Sequence, residues 1–349
     1  MQKSMFTAYL GVAVLATATL ATVGGTPATA DSATPLGLPA YGDHVVDDDH
    51  GHVFVSGGPT GNGVVVTNRY GGVVKTITGQ YGATGLALDA PRDRLYVANA
   101  AGDAVSVIDL HSLTEIDRIP TGAQTCPTHL TRTDEVLWFG YGCEGTWNGG
   151  IGRIEFPEPE PPAEPQVTLN RQGSTAFQRA PLVTAHDDCA GPLVAGQPYL
   201  SLSTVYVYDV DDAHELDTRT SGTAPGSNLY DIALDQRGEI LFTGAGSRNN
   251  APAYSTEDLS GRGSYHSGYH PLAVAPTADD LHIAVGVRAT GDDVYVYELG
   301  GVIPTERLDL TGDVLAPRGL AWSADGDTLY AVSEPPAGGS PTLHVVDVF

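Results

Sequence analysis

One stretch of sequence indicates the fold, Leu95-Tyr-Val-Ala-Asn-Ala-Ala-Gly-Asp-Ala-Val-Ser-Val-Ile-Asp109. It contains two β-like apolar runs on either side of a Gly-Asp turn. Before it lies Gly85-Leu-Ala-Leu-Asp89, which is followed by a turn, and after it comes a fourth β-like run at residues 114–119. Four short strands with turn residues between them make up one structural unit.

The third run of this unit recurs along the chain. Similar runs begin at residues 63, 104, 151, 204, 293 and 342, which gives spacings of 41, 47, 53, 89 and 49 residues. The spacing of 89 is close to two periods, so a degenerate unit is predicted at residues 230–259. Seven units follow, with a period typical of the blades of a β-propeller.

We therefore predict an all-β fold, a seven-bladed β-propeller with almost no helix. Many second and third runs are apolar on both faces, as in Val64-Val65-Val66, which is expected of strands between neighbouring blades. Inner strands are expected before them, for example at His44–Asp47, Pro271–Pro276 and residues 318–322. Two tandem β-sandwiches are the main rival fold, but they do not predict this period.

The two ends of the chain are expected to close the ring. The last β-like run, at residues 342–347, is a third strand and leaves the seventh blade without its outer strand. Residues around 34–41 precede the first inner strand and are predicted to fill that place. Pairing of the N- and C-terminal strands would remove an exposed sheet edge.

The opening stretch resembles the YVTN β-propeller repeat, which has a Tyr-Val-Thr-Asn strand, a short loop and a Val-Ser-Val-Ile-Asp strand. Tyr96-Val97-Ala98-Asn99 departs from that signature only at its third position. The match is close in this unit and weaker in the others. The chain as a whole is similar to secreted bacterial seven-bladed propellers with this repeat. That resemblance implies a fold and a location, and it leaves the activity open.

Residues 1–30 have the features of a secretory signal peptide. Lys3 precedes an apolar run at residues 8–23, and Ala28-Thr29-Ala30 is a small-x-small cleavage site. We expect these residues to be removed and the protein to be secreted. Residues 31–349 are expected to form a single propeller domain, without membrane insertion after cleavage and as a monomer.

The charge balance excludes several classes of partner. The chain has 42 Asp and Glu against 17 Lys and Arg, and its formal net charge is −25. Nucleic acids and anionic membrane surfaces are recognised by basic patches, so neither is expected as a partner. The 41% of hydrophobic residues is sufficient for a core, so the acidity does not indicate disorder.

The three cysteines, Cys126, Cys143 and Cys189, can form one disulfide in three ways. Cys126 lies at the start of an inner strand and Cys143 at the end of the next strand, which is antiparallel to it. The two ends meet at one face of one blade, so we predict a Cys126–Cys143 disulfide. Cys189 falls in a turn at the opposite face and is expected to be a spare thiol.

Two segments combine histidine with aspartates and look like metal sites at first glance. Asp47-Asp-Asp-His-Gly-His52 fails the calcium-loop pattern and occupies the turn between the first and second strands. His186-Asp187-Asp188 lies near another such turn. The structural interpretation is favoured for both, with a weak calcium or zinc contact as the alternative. No metal site, no cofactor and no catalytic motif are predicted.

The residues that begin the inner strands should converge at one mouth of the central channel. Such mouths are common ligand sites, although polar groups line any solvated channel. The candidate ligand-binding residues are Tyr81, His129, Tyr230, Asp231, Tyr269, His270 and Arg318.

These observations predict a secreted binding or scaffold protein that engages an extracellular protein or glycan. The alternative is a propeller enzyme of the lactone hydrolase or lyase type, with His129, Asp231 and His270 around a divalent ion. An oxidoreductase with a quinone or haem is the weakest hypothesis, because no motif would anchor such a cofactor.

Overall fold

The computed structural model describes residues 30, 32–133, 136–157, 164–186, 191–268, 270–289, 291–310 and 313–349. In these ranges the chain forms 28 β-strands and one short 3-10 helix, η1, at Ala90–Arg92. No helix within them has the length and apolar character needed to cross a membrane. The predicted all-β fold with almost no helix is therefore confirmed.

The strands form seven antiparallel sheets of four strands each, which we call blades 1 to 7 in chain order. Blades 1 to 3 consist of β2 (His44–Asp47), β3 (His52–Ser56), β4 (Gly63–Asn68) and β5 (Val73–Thr78); β6 (Ala83–Asp89), β7 (Arg94–Asn99), β8 (Ala104–Asp109) and β9 (Thr114–Pro120); and β10 (Pro127–Thr133), β11 (Val136–Tyr141), β12 (Gly150–Glu155) and β13 (Gln166–Thr168). Blades 4 and 5 consist of β14 (Leu182–Ala185), β15 (Leu193–Gly196), β16 (Ser203–Val210) and β17 (Leu216–Gly226); and β18 (Leu229–Leu234), β19 (Ile240–Ala245), β20 (Asn250–Ser255) and β21 (Gly261–His266). Blades 6 and 7 consist of β22 (Pro271–Pro276), β23 (His282–Val287), β24 (Val294–Glu298) and β25 (Glu306–Leu308); and β26 (Val314–Trp322), β27 (Thr328–Glu334), β28 (Thr342–Asp347) and β1 (Ser32–Pro35).

The first strands of successive blades contact one another around the ring, and β2 also contacts β26 of blade 7. The core lies between the blades, where middle strands are buried on both faces. Val64 and Val66 of blade 1, for example, pack with Leu86 and Leu95 of blade 2. The degenerate unit forms blade 5, and its Leu241 packs against blade 4. The sequence is apolar on both faces of these strands because each face meets a neighbouring blade.

The ring is closed as expected, by pairing of the N- and C-terminal strands. β1 is antiparallel to β28, from Ser32 opposite Val345 to Pro35 opposite Thr342. The pairing segment differs from the predicted residues 34–41, because it begins and ends earlier. Residues 36–41 instead cross from blade 7 to blade 1, and the burial of Leu36, Leu38 and Tyr41 between those blades fixes the crossing.

The inner strand of blade 7 is longer than its predicted range, residues 318–322. β26 begins at Val314, and its pairing with β27 shifts from Leu315 opposite Ser333 to Leu320 opposite Ala331. Arg318 lies in this bulge with a backbone φ of 62°, a left-handed conformation that few residues other than glycine adopt. The bulge positions the Arg318 side chain at the channel mouth.

The predicted Cys126–Cys143 disulfide is present, with the two Cα atoms 5.0 Å apart. It links the residue before β10 to the loop after β11, on the face of the ring where the inner strands begin. Cys189 and the neighbouring Asp187 and Asp188 lie outside the described residues.

Replacing both bridged cysteines, Cys126→Ser with Cys143→Ser, should lower the free energy of unfolding by about 3 kcal/mol, because a closed loop of this size restricts the unfolded chain. Chemical denaturation of the variant and the wild type, both without reductant, measures the difference. Equal midpoints would show that the bridge does not contribute to stability.

Candidate functional site

A cavity of about 550 Å³ opens at the face where the inner strands begin. Its walls come from blades 1, 2, 3, 4 and 7, so no single blade could form it. The lining residues that matter for its chemistry are Tyr41, His129, Glu144, Arg179, Tyr199 and Arg318.

Arg318 reaches from blade 7 to two other blades. Its Nη2 lies 2.6 Å from Oδ2 of Asp43, and its Nη1 donates to Nδ1 of His129 at 2.7 Å. Only 18% of the side chain is exposed. Burial by itself would lower the pKa of Arg318, but the charge of Asp43 and of its other acidic neighbours raises it, so the guanidinium stays charged.

His129 is the neutral partner of this arginine. Burial holds its pKa well below the ordinary value, and the positive charge of Arg318 lowers it further. Because Nδ1 accepts a hydrogen bond from Arg318, the neutral ring carries its proton on Nε2. His129 therefore keeps its Nε2–H as a donor, while its acceptor nitrogen is taken by Arg318.

Asp43 and Asp231 occupy equivalent positions in blades 1 and 5. The Oδ1 atom of each accepts a hydrogen bond from the N–H of the following residue. The Oδ2 atoms accept from Leu86 and Val274, each 43 residues further on in the next blade, at 3.0 and 2.8 Å. Each carboxylate thus fastens its blade to the following one.

The two carboxylates differ in their electrostatic surroundings. Asp43 forms the ion pair with Arg318, whereas burial raises the pKa of Asp231 to about 7 although Arg318 lowers it in part. Such a value belongs to a group that changes its charge near neutral pH.

Tyr41 forms a hydrogen bond with the main chain of Arg318. Its hydroxyl donates to the backbone carbonyl of Arg318 at 2.9 Å and lies 2.7 Å from Nδ1 of His44. Burial lowers the pKa of His44 to about 4, so that ring is neutral at physiological pH. Two sets of contacts therefore stabilise the left-handed conformation of Arg318. Tyr41 bonds to its main-chain carbonyl, and Asp43 and His129 bond to its side chain.

The rim of the cavity is aromatic and basic. Tyr199 is 48% exposed, and the Arg179 guanidinium lies 5.6 Å from the centre of its ring. Tyr230 packs edge-on against Tyr199, with the ring centres 5.3 Å apart. Nη1 of Arg179 also lies 3.3 Å from a carboxylate oxygen of Glu144. This rim can stack against a sugar or peptide and can bind its polar groups.

The structure brings together three of the seven candidate residues, His129, Asp231 and Arg318. Tyr230 contributes to the rim through Tyr199. Three residues important to the geometry were not among the candidates, namely Tyr41, Asp43 and Tyr199. For Asp43 the sequence did hold a signal, because Asp43 and Asp231 each begin an Asp-x-x-x-Asp pattern at an inner strand.

His129 and Arg318 line the cavity, whereas Tyr81, Tyr230, Asp231 and His270 are not among its lining residues. Tyr81 is 53% exposed, because it lies in the crossing from blade 1 to blade 2 before the inner strand starts. His270 is also exposed, and its Nδ1 contacts the carbonyl of Gly246. Tyr269 lies outside the described residues. The ligand-binding role assigned to the seven candidates stays a prediction.

The ligand set of the hydrolase hypothesis is not assembled. Among the described residues, His129, Asp231 and His270 are not a group whose ligand atoms all lie within 4.8 Å of one another. His129 is turned toward Arg318, and both Asp231 oxygens accept backbone hydrogen bonds.

Comparison with solved structures defines the class of protein as a seven-bladed β-propeller. The chain is similar to the β-propeller domain of Myceliophteria thermophila Cps50 (Swd1), with a TM-score of 0.66, 12% identity, and coverage of 91% of this chain and 100% of that one. A chain of the mitotic checkpoint complex gives a TM-score of 0.68, 15% identity, and coverage of 97% and 100%. Kuenenia stuttgartiensis hydrazine synthase gives 0.64, 18% identity, and coverage of 93% and 98%.

At these identities the likeness establishes the fold alone. No family model matches the chain, and no curated protein matches its sequence. The YVTN resemblance therefore stays a prediction, while the propeller fold that it implied is confirmed.

Asp231→Asn should change how stability depends on pH. With a folded pKa of about 7, Asp231 keeps a proton that the unfolded chain releases above its unfolded pKa of about 4, so its contribution to stability falls as the pH rises through this window. The free energy of unfolding of Asp231→Asn, relative to the wild type, should therefore increase by about 2 kcal/mol between pH 5 and 6.5.

Urea unfolding at several pH values measures this difference. His44 and His129 favour the folded state more as the pH rises, but both remain in each protein and cancel from the comparison. Asp212→Asn, at an exposed position, is the control and should run parallel to the wild type. A parallel profile for Asp231→Asn would show that this carboxyl does not titrate near neutrality.

Proposed function

We propose that this protein is a secreted binding module that holds an extracellular protein segment or glycan at the mouth of its channel. The observation that carries the proposal is the cavity of about 550 Å³ around Arg318, whose guanidinium is fixed by Asp43 and His129 before any ligand arrives. Secretion and kinship with YVTN-repeat propellers are part of the proposal and are supported by residues 1–30 and 95–109.

The size and chemistry of the cavity suit recognition of a polar ligand. Its volume lies within the range of ligand-binding cavities. Because Arg318 and His129 are already oriented, a ligand loses little free energy in ordering them. Tyr199 and Arg179 at the rim belong to the residue types that dominate binding energies at interfaces. A side chain or sugar that enters the mouth can contact Arg318 and His129 inside it and Tyr199 and Arg179 at its rim.

A protein partner is favoured by one of the structural comparisons. The chain with the TM-score of 0.68 belongs to the mitotic checkpoint complex, so that propeller works within a protein assembly. The acidic character of the present chain, with a net charge of −25, favours partners with basic or neutral surfaces.

The enzyme hypothesis receives less support. A metal-dependent hydrolase or lyase needs His129, Asp231 and His270 around one ion, and these three groups are not assembled. Burial raises the pKa of Asp231 to about 7, but its hydrogen bonds reproduce those of Asp43, which joins two blades. The raised pKa therefore follows from burial of a blade-joining carboxylate.

Binding to a glycan array and to a peptide array tests the proposal, since a hit on either identifies the class of ligand. Tyr199→Ala and Arg179→Ala should each weaken the affinity for that ligand at least tenfold, because both remove rim contacts without disturbing Arg318. Tyr70→Ala is the matched control, because Tyr70 is 74% exposed in the β4–β5 turn at the opposite face.

Unchanged melting temperatures will show that the rim variants are folded. Binding that survives both rim substitutions, or that is lost in Tyr70→Ala, would place the binding surface elsewhere and contradict the proposal.

A further inference from the structure

Three potential metal ligands meet on the face of the ring opposite the mouth. His50 belongs to the turn between β2 and β3 of blade 1. Asp93 follows η1 and His111 lies in the β8–β9 turn, both in blade 2. One ligand atom from each side chain lies within 4.8 Å of the others. The group is independent of the mouth, and it joins two blades.

The distances between these atoms approach those of a bound metal. Nε2 of His111 lies 3.3 Å from Oδ2 of Asp93, and Nε2 of His50 lies 3.7 Å from Oδ1 of the same carboxylate. In a tetrahedral zinc site with bonds of about 2.0–2.1 Å, neighbouring ligand atoms are about 3.3–3.4 Å apart. The two contacts use different oxygens of Asp93, so the side chains must adjust for three donors to surround one ion.

A buried carboxylate orients the first histidine. Oδ2 of Asp47 lies 2.9 Å from Nδ1 of His50, and the Asp47 side chain is fully buried. This contact places the proton of His50 on Nδ1 and leaves the Nε2 lone pair free to bind an ion between His50, Asp93 and His111. Metal-bound histidines in proteins usually donate their second ring N–H to a carboxylate, a backbone carbonyl or water, and Asp47 is a partner of the first kind.

The other two ligands are held by their backbones. Asp93 has a left-handed φ of 52°, and its N–H donates to Ala90 at 3.0 Å. The carbonyl of Asp93 accepts from the N–H of Leu110 at 3.0 Å, which ties it to the residue preceding His111. The turn that carries His111 is closed by Asp109, whose Oδ1 accepts from the N–H of Ser112 at 2.7 Å. These hydrogen bonds therefore fix the backbone turns that carry Asp93 and His111.

We propose that His50, Asp93 and His111 form a zinc-binding site that links blades 1 and 2. Two imidazoles and one carboxylate suit a borderline cation such as Zn²⁺, whereas Ca²⁺ prefers oxygen ligands alone. Three protein ligands leave a fourth position for water or for a group from a partner molecule. His111 is 68% exposed at its side chain, so this position is accessible from solvent.

The sequence hides this site because its ligands come from separate turns. The run at residues 47–52 fails the calcium-loop pattern, and His111 has no neighbouring histidine. Only the packing of blade 1 against blade 2 brings the three residues together.

Isothermal titration of the chelator-treated, dialysed protein with zinc chloride tests the proposal. The wild type should bind one Zn²⁺ per chain and melt at a higher temperature with zinc than without it. His111→Ala and Asp93→Asn should each weaken zinc binding at least tenfold and abolish the rise in melting temperature. Asparagine tolerates the left-handed backbone of Asp93, so this variant should fold normally.

His266→Ala is the matched control, because His266 is exposed in blade 5 and belongs to no such group of described residues; it should bind zinc like the wild type. Replacing zinc with cobalt(II) gives a second readout, since four-coordinate cobalt absorbs visible light far more strongly than the hydrated ion. Failure of the wild type to bind zinc, or equal binding by His111→Ala and Asp93→Asn, would overturn the proposal.

Discussion

The buried guanidinium of Arg318 is the interaction on which the channel mouth depends. A charge in this position is tolerated only when it is paired, and Asp43 supplies the pair at 2.6 Å while neutral His129 accepts at 2.7 Å. Asp43 is in turn bonded to Leu86, so one side chain of blade 7 is connected to blades 1, 2 and 3. The left-handed backbone at Arg318 is retained because these contacts and the Tyr41 hydroxyl hold it.

A propeller builds sites from different blades, and the two faces of this ring do so in different ways. At the mouth, residues at the starts of inner strands converge on the channel, and Asp43 and Asp231 join their blades to the next. On the opposite face, turns of adjacent blades approach each other, which brings His50 close to Asp93.

The fold could be predicted from the sequence because the period, the turns and the doubly apolar strands such as Val64-Val65-Val66 all indicate blades. His129, Asp231 and Arg318 could be predicted because they occupy the starts of inner strands. Tyr199 could not, because it lies in a loop whose path the strand repeat does not determine. Tyr81 and His270 also lie just before inner strands, but the strand pattern does not determine which of these side chains line the cavity.

A double-mutant cycle between Arg318 and Asp43 tests the central claim most directly. The free energies of unfolding of Arg318→Met, Asp43→Asn and the double variant are compared with that of the wild type at constant pH. If the buried pair organises the mouth, each single change leaves an unpaired group, and the double variant should be more stable than the sum of the single effects by about 2 kcal/mol. Effects that add to within about 0.5 kcal/mol would contradict the account, because the two residues would then be energetically independent.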